Sequence, residues 1–214
     1  MTIYVCGDST AASYSPREAP ITGWGQVLPE LVAERVDNRA MAGRSTKSFL
    51  SEGRLQDIEK SIRPGDLMLI QFAHNDESDL VWRHTDPWTS FTHNLEIFVD
   101  TALLCQAQPV LLTPICVRFW QDGQLQHSHG EYVAAMTMLA QQRSVPLIDL
   151  YGQSRELVAG LGDEASKPLY MHLKKGAYPA YPEGCADDTH TRRAGAEAYA
   201  RMAADGLRRF RLIQ

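Results

Sequence analysis

The first residues of the chain that could do chemistry follow its first apolar segment. Ile3–Cys6 has the composition of a buried strand, and Gly7–Thr10, which reads Gly-Asp-Ser-Thr, comes directly after it. These residue types are favoured in turns and at helix N-termini, which predicts a strand, a tight turn and a helix start. Such a connection would raise the hydroxyl of Ser9 above the sheet edge and point backbone N–H groups at it. The segment suits a serine nucleophile, and it equally suits a phosphate site or an ordinary β–α turn.

A base and an acid for such a serine lie near the other end of the chain. A serine hydroxyl is a weak nucleophile until a base removes its proton, and a third group must orient that base. Asp187 and His190 are three residues apart, so in a turn before the last helix both can face the same side. Asp187 would then hold Nδ1–H of His190 and leave Nε2 free for Ser9. Asp188 is the competing partner for His190.

Acyl transfer also needs hydrogen-bond donors at the oxyanion that develops, each worth about 3 kcal/mol. Three groups are candidates: the backbone N–H of Ser9, the backbone N–H of Gly43 and the side-chain amide of Asn75. A glycine at position 43 lets the backbone approach a ligand closely because it has no Cβ.

The elements that must position these residues alternate between apolar and helix-like segments. Strands are predicted at Ile3–Cys6, Val36–Asn38, Leu67–Phe72, Val110–Thr113 and Val145–Leu150. Helices are predicted at Gln26–Glu34, Arg54–Ile62, Phe91–Ala107, Tyr132–Arg143 and Arg193–Phe210. This alternation predicts a parallel sheet covered on both faces. We therefore expect one three-layer α/β/α domain over residues 1–214 with a five-stranded parallel sheet, and an irregular connection over Gly162–Asp188.

Polar residues follow the predicted strands, and ligands of parallel sheets bind beyond the carboxyl ends of the strands. The segments expected at this rim are Asp8–Ser9, Asn38–Ser45, Ala73–Asp76, Pro114–Arg118 and, before the last helix, Asp187–His190. We expect Asp8 and Asp76 to brace the loops of the rim rather than to act in catalysis.

Composition and charge exclude several classes of function. Hydrophobic residues make up 44% and charged residues 22%, which is typical of a globular protein. The formal net charge is −5, and no run of Lys and Arg exceeds two residues. Binding to nucleic acid or to an anionic membrane is therefore not expected.

The cysteines and the N-terminus indicate a reduced, unexported protein without a metal. The four cysteines are widely spaced, with no Cys-x-x-Cys pair and no Cys/His ligand spacing, so reduced thiols are expected. His127 and His129 have no acidic or Cys partner at ligand spacing, and no metal is predicted there. The chain starts with a core strand and shows no targeting segment. We expect a cytoplasmic protein, or a secreted one if the sequence is a trimmed mature form.

Four blocks of the sequence together resemble the SGNH/GDSL hydrolases. These blocks are Gly7–Ser9, Gly43 within Asn38–Ser45, Asn75 within His74–Asp76, and Asp187–His190, in the order and spacing of that family. Longer matches are similar to its rhamnogalacturonan acetylesterase-like branch, at Gly7–Ala12, Gly23–Gly25, Gly43–Phe49, Glu52–Arg54, Gln71–Asp76 and Thr113–Pro114. The resemblance spans nearly the whole chain.

The resemblance implies a flavodoxin-like sheet and serine-esterase chemistry that needs no metal or other cofactor. It implies that Ser9 is the nucleophile, His190 its base and Asp187 the partner of that base. It further implies that Gly43 and Asn75 donate to the oxyanion together with the N–H of Ser9.

Two positions depart from the pattern of that family. Ala73 stands where a glycine is usual, and its methyl group could tighten the loop that carries Asn75. Thr191 stands where a phenylalanine often follows the histidine, which bears on local packing and on a possible sugar contact.

Candidate substrate contacts are Arg44, His74 and His129. The guanidinium of Arg44 suits a substrate carboxylate, or it could pair with a loop acid. His129 opens the segment His129–Tyr132, which resembles one that precedes a helix in the family.

The function that the resemblance implies is removal of O-acetyl groups from plant cell-wall oligosaccharides derived from rhamnogalacturonan or pectin, through an acetyl-enzyme. One alternative is a thioesterase or lysophospholipase, which would need an apolar acyl channel. The other is a sugar-binding module that has lost catalysis. The expected partner is thus an acetylated oligosaccharide, and the oligomeric state stays open.

Overall fold

The computed structural model of the protein describes residues 1–214. Its strands are β1 (Thr2–Gly7), β2 (Arg35–Asn38), β3 (Leu67–Gln71), β4 (Gln108–Leu112), β5 (Trp120–Gln121), β6 (Gln124–Leu125), β7 (Leu147–Ile148), β8 (Tyr170–Leu173) and β9 (Cys185–Thr191). Its α-helices are α1 (Trp24–Val27), α2 (Thr46–Ser51), α3 (Arg54–Glu59), α4 (Thr92–Leu104), α5 (Tyr132–Arg143), α6 (Leu150–Leu161), α7 (Asp163–Ser166) and α8 (Arg193–Arg209). Short 3₁₀ turns lie at Pro16–Glu18, Leu28–Glu30 and Lys167–Leu169, and a π turn at Pro87–Phe91 leads into α4.

The central sheet has five parallel strands in the order β2-β1-β3-β4-β7. Counted along the sheet, this is the 2-1-3-4-5 order of flavodoxin-like folds. The predicted five-stranded parallel sheet and its α/β class are confirmed.

Alternate residues of the central strands enter two separate hydrophobic clusters, one on each face of the sheet. Ile3 and Val5 of β1 pack in the cluster that contains α1 and α8, and Tyr4 and Cys6 pack in the one that contains α4 and α5. Both clusters are closed to solvent, which explains why the central strands read as continuous apolar segments.

Two predicted elements have different bounds in the structure. The last strand of the sheet covers Leu147–Ile148 and not Val145–Leu150, because Asp149 caps α6 by accepting a hydrogen bond from the N–H of Gly152 at 2.9 Å. The helix predicted at Gln26–Glu34 is reduced to the single turn α1 and a 3₁₀ turn that contains Pro29. Pro29 has no N–H to continue an α-helix.

The connection predicted as irregular contains an antiparallel hairpin of β8 and β9. Tyr170 pairs with Thr191 and the next residue, Met171, pairs with Asp187, so three residues of β9 bulge out of the ladder. In a regular strand, residues three apart face opposite sides, whereas this bulge lets Asp187 and His190 meet. They therefore lie in a strand and not in a turn at a helix start.

None of the helices combines the length and the apolar character needed to cross a bilayer. All four cysteines are free thiols; Cys6 and Cys116 are buried, and Cys105 and Cys185 are half-buried.

Candidate active site

Ser9 lies in a turn directly after β1, and no helix starts there, since the 3₁₀ turn at Pro16–Glu18 and the α-helix at Trp24 both begin later. The turn is held by Asp8, which accepts hydrogen bonds from the N–H and the hydroxyl of Thr10 at 2.9 and 2.7 Å. Gln71 of β3 donates to the other carboxylate oxygen of Asp8 at 3.3 Å. A Cβ on Gly7 would lie 2.9 Å from the carbonyl of Gln71, so only glycine lets the turn sit this close to β3.

A continuous chain of hydrogen bonds joins Ser9, His190 and Asp187. Nε2 of His190 lies 2.9 Å from Oγ of Ser9, and its Nδ1 lies 2.7 Å from Oδ2 of Asp187. The other carboxylate oxygen, Oδ1, accepts the backbone N–H groups of Thr189 and His190 at 2.8 and 3.0 Å. Nδ1–H therefore donates to the carboxylate, and Nε2 can accept the proton of the hydroxyl.

The electrostatics of these three hydrogen-bonded residues favour an ionised Asp187 beside the imidazole of His190. Burial acts to raise the pKa of Asp187, but the hydrogen bonds from His190 and Thr189 lower this pKa to about 2. The hydrogen bond with Asp187 raises the pKa of His190, against the burial that lowers it. The carboxylate thus stabilises a positive charge on the ring.

Asp188, the competing partner for His190, points to other groups. Its Oδ1 accepts hydrogen bonds from the guanidinium of Arg118 and, at 2.7 Å, from Nε2 of His172. Arg118 is buried and also pairs with Asp163. These contacts fix the bulge of β9 to the loop after β4.

The other two expected oxyanion donors border the same cleft as Ser9. Gly43, in the loop after β2, has a φ of +80°, and a Cβ there would meet no atom within 4 Å. Asn75, in the loop after β3, donates from Nδ2 to the carbonyl of Arg44 at 3.1 Å and accepts at Oδ1 from Arg83 at 2.8 Å. These contacts fix the orientation of the amide and leave its second Nδ2 hydrogen free.

The loop that carries Asn75 combines a strained residue with a buried brace. Ala73 has a φ of +143°, in a region that favours glycine, and it is fully buried. Asp76 accepts hydrogen bonds from Thr46 and Thr85, and burial raises its pKa to about 7. Asp76 therefore ties this loop to the start of α2.

The cleft above these residues has a volume of about 380 Å³ and a mostly polar lining. The lining consists of Ser9, Ala42, Gly43, His74, Asn75, Glu77, Arg83, Val117, His129, Thr189 and His190. Ala42 and Val117 are its apolar members, and two such small side chains do not make an extended apolar wall for a long acyl chain. A hollow of about 410 Å³ beside α6 contains none of these residues.

Comparison with known proteins shows the family of this chain. Residues 5–198 match the model of the GDSL-like lipase/acylhydrolase family. The chain belongs to this family. It is thus a hydrolase of ester bonds, which confirms the resemblance seen in the sequence.

Relatives of this GDSL-family chain carry carbohydrate esterase names. It is 41% identical to the rhamnogalacturonan acetylesterase RhgT of Bacillus subtilis, over 96% of this chain and 88% of the relative. It is 34% identical to the probable rhamnogalacturonan acetylesterase YesY of the same organism, over 96% and 92% of the two chains.

Solved structures share the fold of this GDSL-family chain. The crystal structure of YxiM of B. subtilis superimposes with a TM-score of 0.82 at 31% identity, over 98% of this chain and 56% of that one. The acetylxylan esterase Axe2 of Geobacillus stearothermophilus gives a TM-score of 0.69 at 16% identity, over 96% and 93% of the chains.

The three candidate substrate contacts have different surroundings in this GDSL-family site. Arg44 pairs with Glu52 and is not part of the cleft lining, which corresponds to the loop-acid alternative. His74 and His129 line the cleft with their rings 4.4 Å apart, edge to face. Burial lowers the pKa of His74 well below its usual value, so this ring is neutral. His129 is held between Glu77 and the carbonyl of Ile115.

Two residues of the lining, Glu77 and Arg83, were not predicted from the sequence. Both lie in the loop after β3, which was placed at the rim only as far as Asp76. Arg83 follows Leu80–Trp82 in a segment without a motif, and no residue pattern there separates it from a surface arginine. No group of three or more His, Cys, Asp or Glu side chains is arranged to hold a metal ion.

Proposed function

We propose that the protein is a carbohydrate esterase that removes O-acetyl groups from rhamnogalacturonan-derived oligosaccharides through an acetyl-enzyme on Ser9. The observation that carries this proposal is the 2.9 Å contact between Oγ of Ser9 and Nε2 of His190. Both residues line a cleft with mostly polar side chains. The chain is also 41% identical to a rhamnogalacturonan acetylesterase.

Acylation begins with proton transfer from Oγ of Ser9 to Nε2 of His190. The oxygen then attacks the acetyl carbonyl carbon, and the electron pair of the C=O bond moves to its oxygen. The imidazolium that forms keeps its Nδ1–H on Asp187, whose negative charge stabilises it.

The oxyanion would be held by three donors: the N–H of Ser9, the N–H of Gly43 and the free Nδ2 hydrogen of Asn75. The two donors other than Ser9 lie on loops that other contacts hold in place, so little reorganisation is needed as the charge develops.

Collapse of the tetrahedral intermediate breaks the bond to the sugar oxygen, which takes the proton from Nε2 of His190. Water then enters, His190 removes its proton, and its oxygen attacks the acetyl group on Ser9. A second collapse releases acetate and returns the proton to Oγ.

The lining of the cleft argues against the long-chain alternatives. A thioesterase or lysophospholipase would need an extended apolar wall, whereas Ala42 and Val117 are the apolar side chains of the lining. An acetyl group needs no such wall, and the hydroxyl-rich leaving group would face the polar side chains.

The test is acetate release from acetylated rhamnogalacturonan oligosaccharides, with Ser9→Ala as the matched variant. Acetylated xylo-oligosaccharides and 4-nitrophenyl acetate are assayed in parallel. We expect release that Ser9→Ala abolishes and that is faster from rhamnogalacturonan than from xylan fragments.

Other outcomes would assign another function. Faster release from the xylan fragments would change the substrate, and cleavage of 4-nitrophenyl acetate alone would point to a different ester. Oligosaccharide binding with no turnover of any ester would identify a sugar-binding protein.

A further inference from the structure

Arg83 lies in the wall of the cleft with part of its guanidinium unused. Its Nη1 donates to Oδ1 of Asn75 at 2.8 Å, whereas its Nε is buried and has no hydrogen-bond partner. The edge of an arginine formed by Nε and Nη2 can bind both oxygens of a carboxylate. Arg39 binds Asp37 in this way, with Nε and Nη2 donating to the two carboxylate oxygens at 2.7 and 2.9 Å. Arg83 has no such partner within the protein.

The surroundings of Arg83 hold its side chain and add positive charge. The guanidinium lies 5.4 Å from the ring centre of Trp82, which is 51% exposed. Nζ of Lys47 donates to the carbonyl of Val81 at 2.7 Å, two residues before Arg83 along the loop. Neither cation has a carboxylate partner, so an anion bound here would meet charge that the protein does not neutralise.

The acidic side chains of the same cleft are already engaged. Glu77 contacts Nδ1 of His129, and Asp187, at the back of the triad, contacts Nδ1 of His190. Neither of these acids therefore competes for Arg83.

A donor left without an acceptor is costly, so an acceptor supplied by a ligand at the guanidinium of Arg83 would be favourable. A buried unpaired donor costs about 1–3 kcal/mol, and more when it is charged. A planar guanidinium edge matches the two oxygens of a carboxylate better than it matches a sugar hydroxyl.

We propose that Arg83 binds the carboxylate of a uronic acid residue of the acetylated oligosaccharide and so selects acidic over neutral oligosaccharides. This inference rests on the proposed function, and it fits the galacturonate that rhamnogalacturonan contains by its name. Nη2, which has no hydrogen-bond partner in the protein, would donate to the carboxylate while Nη1 continues to hold Asn75.

The experiment compares two forms of one substrate, an acetylated rhamnogalacturonan oligosaccharide with free carboxylates and the same oligosaccharide as its methyl ester. We expect the wild type to have a kcat/KM about tenfold or more higher for the free acid, mainly through KM. In Arg83→Gln this preference falls to about one. Arg201→Gln, which removes the same charge from an exposed position on α8, keeps the preference.

The preference, and not the absolute rate, separates substrate binding from positioning of Asn75. If Arg83 acts through Asn75 alone, Arg83→Gln lowers kcat on the acid, the ester and 4-nitrophenyl acetate by the same factor and keeps the wild-type preference. That result would overturn the proposal. An equal kcat/KM of the wild type for acid and ester would also overturn it.

Binding is measured separately on Ser9→Ala by calorimetry with the same two oligosaccharides. This readout stays informative if the wild type releases no acetate from any sugar, which would refute the proposed function. Tighter binding of the acid, lost in the Ser9→Ala/Arg83→Gln double variant, supports the assignment of Arg83. Equal binding of acid and ester contradicts it.

Discussion

Asp187→Asn replaces one oxygen of the Ser9–His190–Asp187 hydrogen-bond network with an NH₂ group and leaves the shape of the side chain nearly unchanged. Oδ1 of the new amide can still accept the N–H groups of Thr189 and His190, as the carboxylate does at 2.8 and 3.0 Å. The NH₂ group then replaces Oδ2, which lies 2.7 Å from Nδ1 of His190. Because two donors cannot face each other, the ring must carry its proton on Nε2, where it can no longer accept one from Ser9.

The expected loss has two parts. The pKa of Asp187 lies at about 2 instead of 3.8, which corresponds to about 2 kcal/mol in favour of the carboxylate. If the whole of this free energy stabilises the imidazolium, its loss slows the reaction by about 30-fold. The unproductive tautomer adds the larger part, and the same change in another serine hydrolase lowers kcat by about 10⁴. We expect kcat to fall by about 10³ to 10⁴ with KM within a few fold.

The matched control is Asp188→Asn, the same substitution one residue along β9. Asp188 contacts Arg118 and His172 and not His190, so its loss should lower the melting temperature while kcat stays within about threefold. Both variants are assayed for kcat and KM with 4-nitrophenyl acetate, and circular dichroism checks their fold.

Two results would refute this reasoning. A folded Asp187→Asn that keeps more than about a tenth of the wild-type kcat would show that His190 does not depend on that carboxylate. A loss in Asp188→Asn as large as in Asp187→Asn would show that the geometry of the bulge, and not the acid, limits the rate.

Three further predictions concern the same cleft. The hydrogen bond with Asp187 raises the pKa of His190 above the usual 6.5, and catalysis needs the neutral ring. The value of kcat/KM should therefore rise with pH, and the midpoint of this rise should lie above pH 6.5. A midpoint below pH 6.5 would contradict this. Asn75→Ala should lower kcat by about 10²–10³ with little change in KM, and a loss below about fivefold would remove Asn75 from the oxyanion donors. Gly43 and Gly123 both have a positive φ, +80° and +74°, and open space for a Cβ. Replacing either with alanine should therefore lower the free energy of unfolding by about 1–2 kcal/mol. Gly123→Ala is the control, because Gly43→Ala alone should also lower kcat.

The central sheet could be predicted because its strands are buried on both faces. Leu67–Gln71 is closed to solvent throughout, and a strand of this kind leaves a continuous apolar segment in the sequence. The hairpin escaped prediction because Cys185–Thr191 is mostly polar and half-buried, and its form depends on pairing with Tyr170–Leu173. No local pattern encodes such a pairing.

The candidate site divides in the same way. Ser9 and His190 could be named because four short motifs occur together in the order and spacing of one family, although Gly7–Thr10 alone also suits other kinds of site. The partner of Arg44 could not, because Glu52 is eight residues away and only the turn of α2 brings it back. Arg83 depends on Asn75 and Trp82, contacts that exist only after the loop has folded over β3.

Because the catalytic histidine lies on the bulged hairpin, esterase activity depends on the docking of this hairpin during folding. Ser9 leaves the first strand of the sheet, whereas its base arrives 181 residues later on β9. Thr22 and Thr191 hydrogen-bond to each other's carbonyls at 2.9 and 2.6 Å, and Arg118 holds the other side of the hairpin. Contacts so distant in sequence carry a large loop-closure entropy cost. During refolding, therefore, esterase activity should return no earlier than the helical and sheet signals, and any delay between them measures the docking of this hairpin.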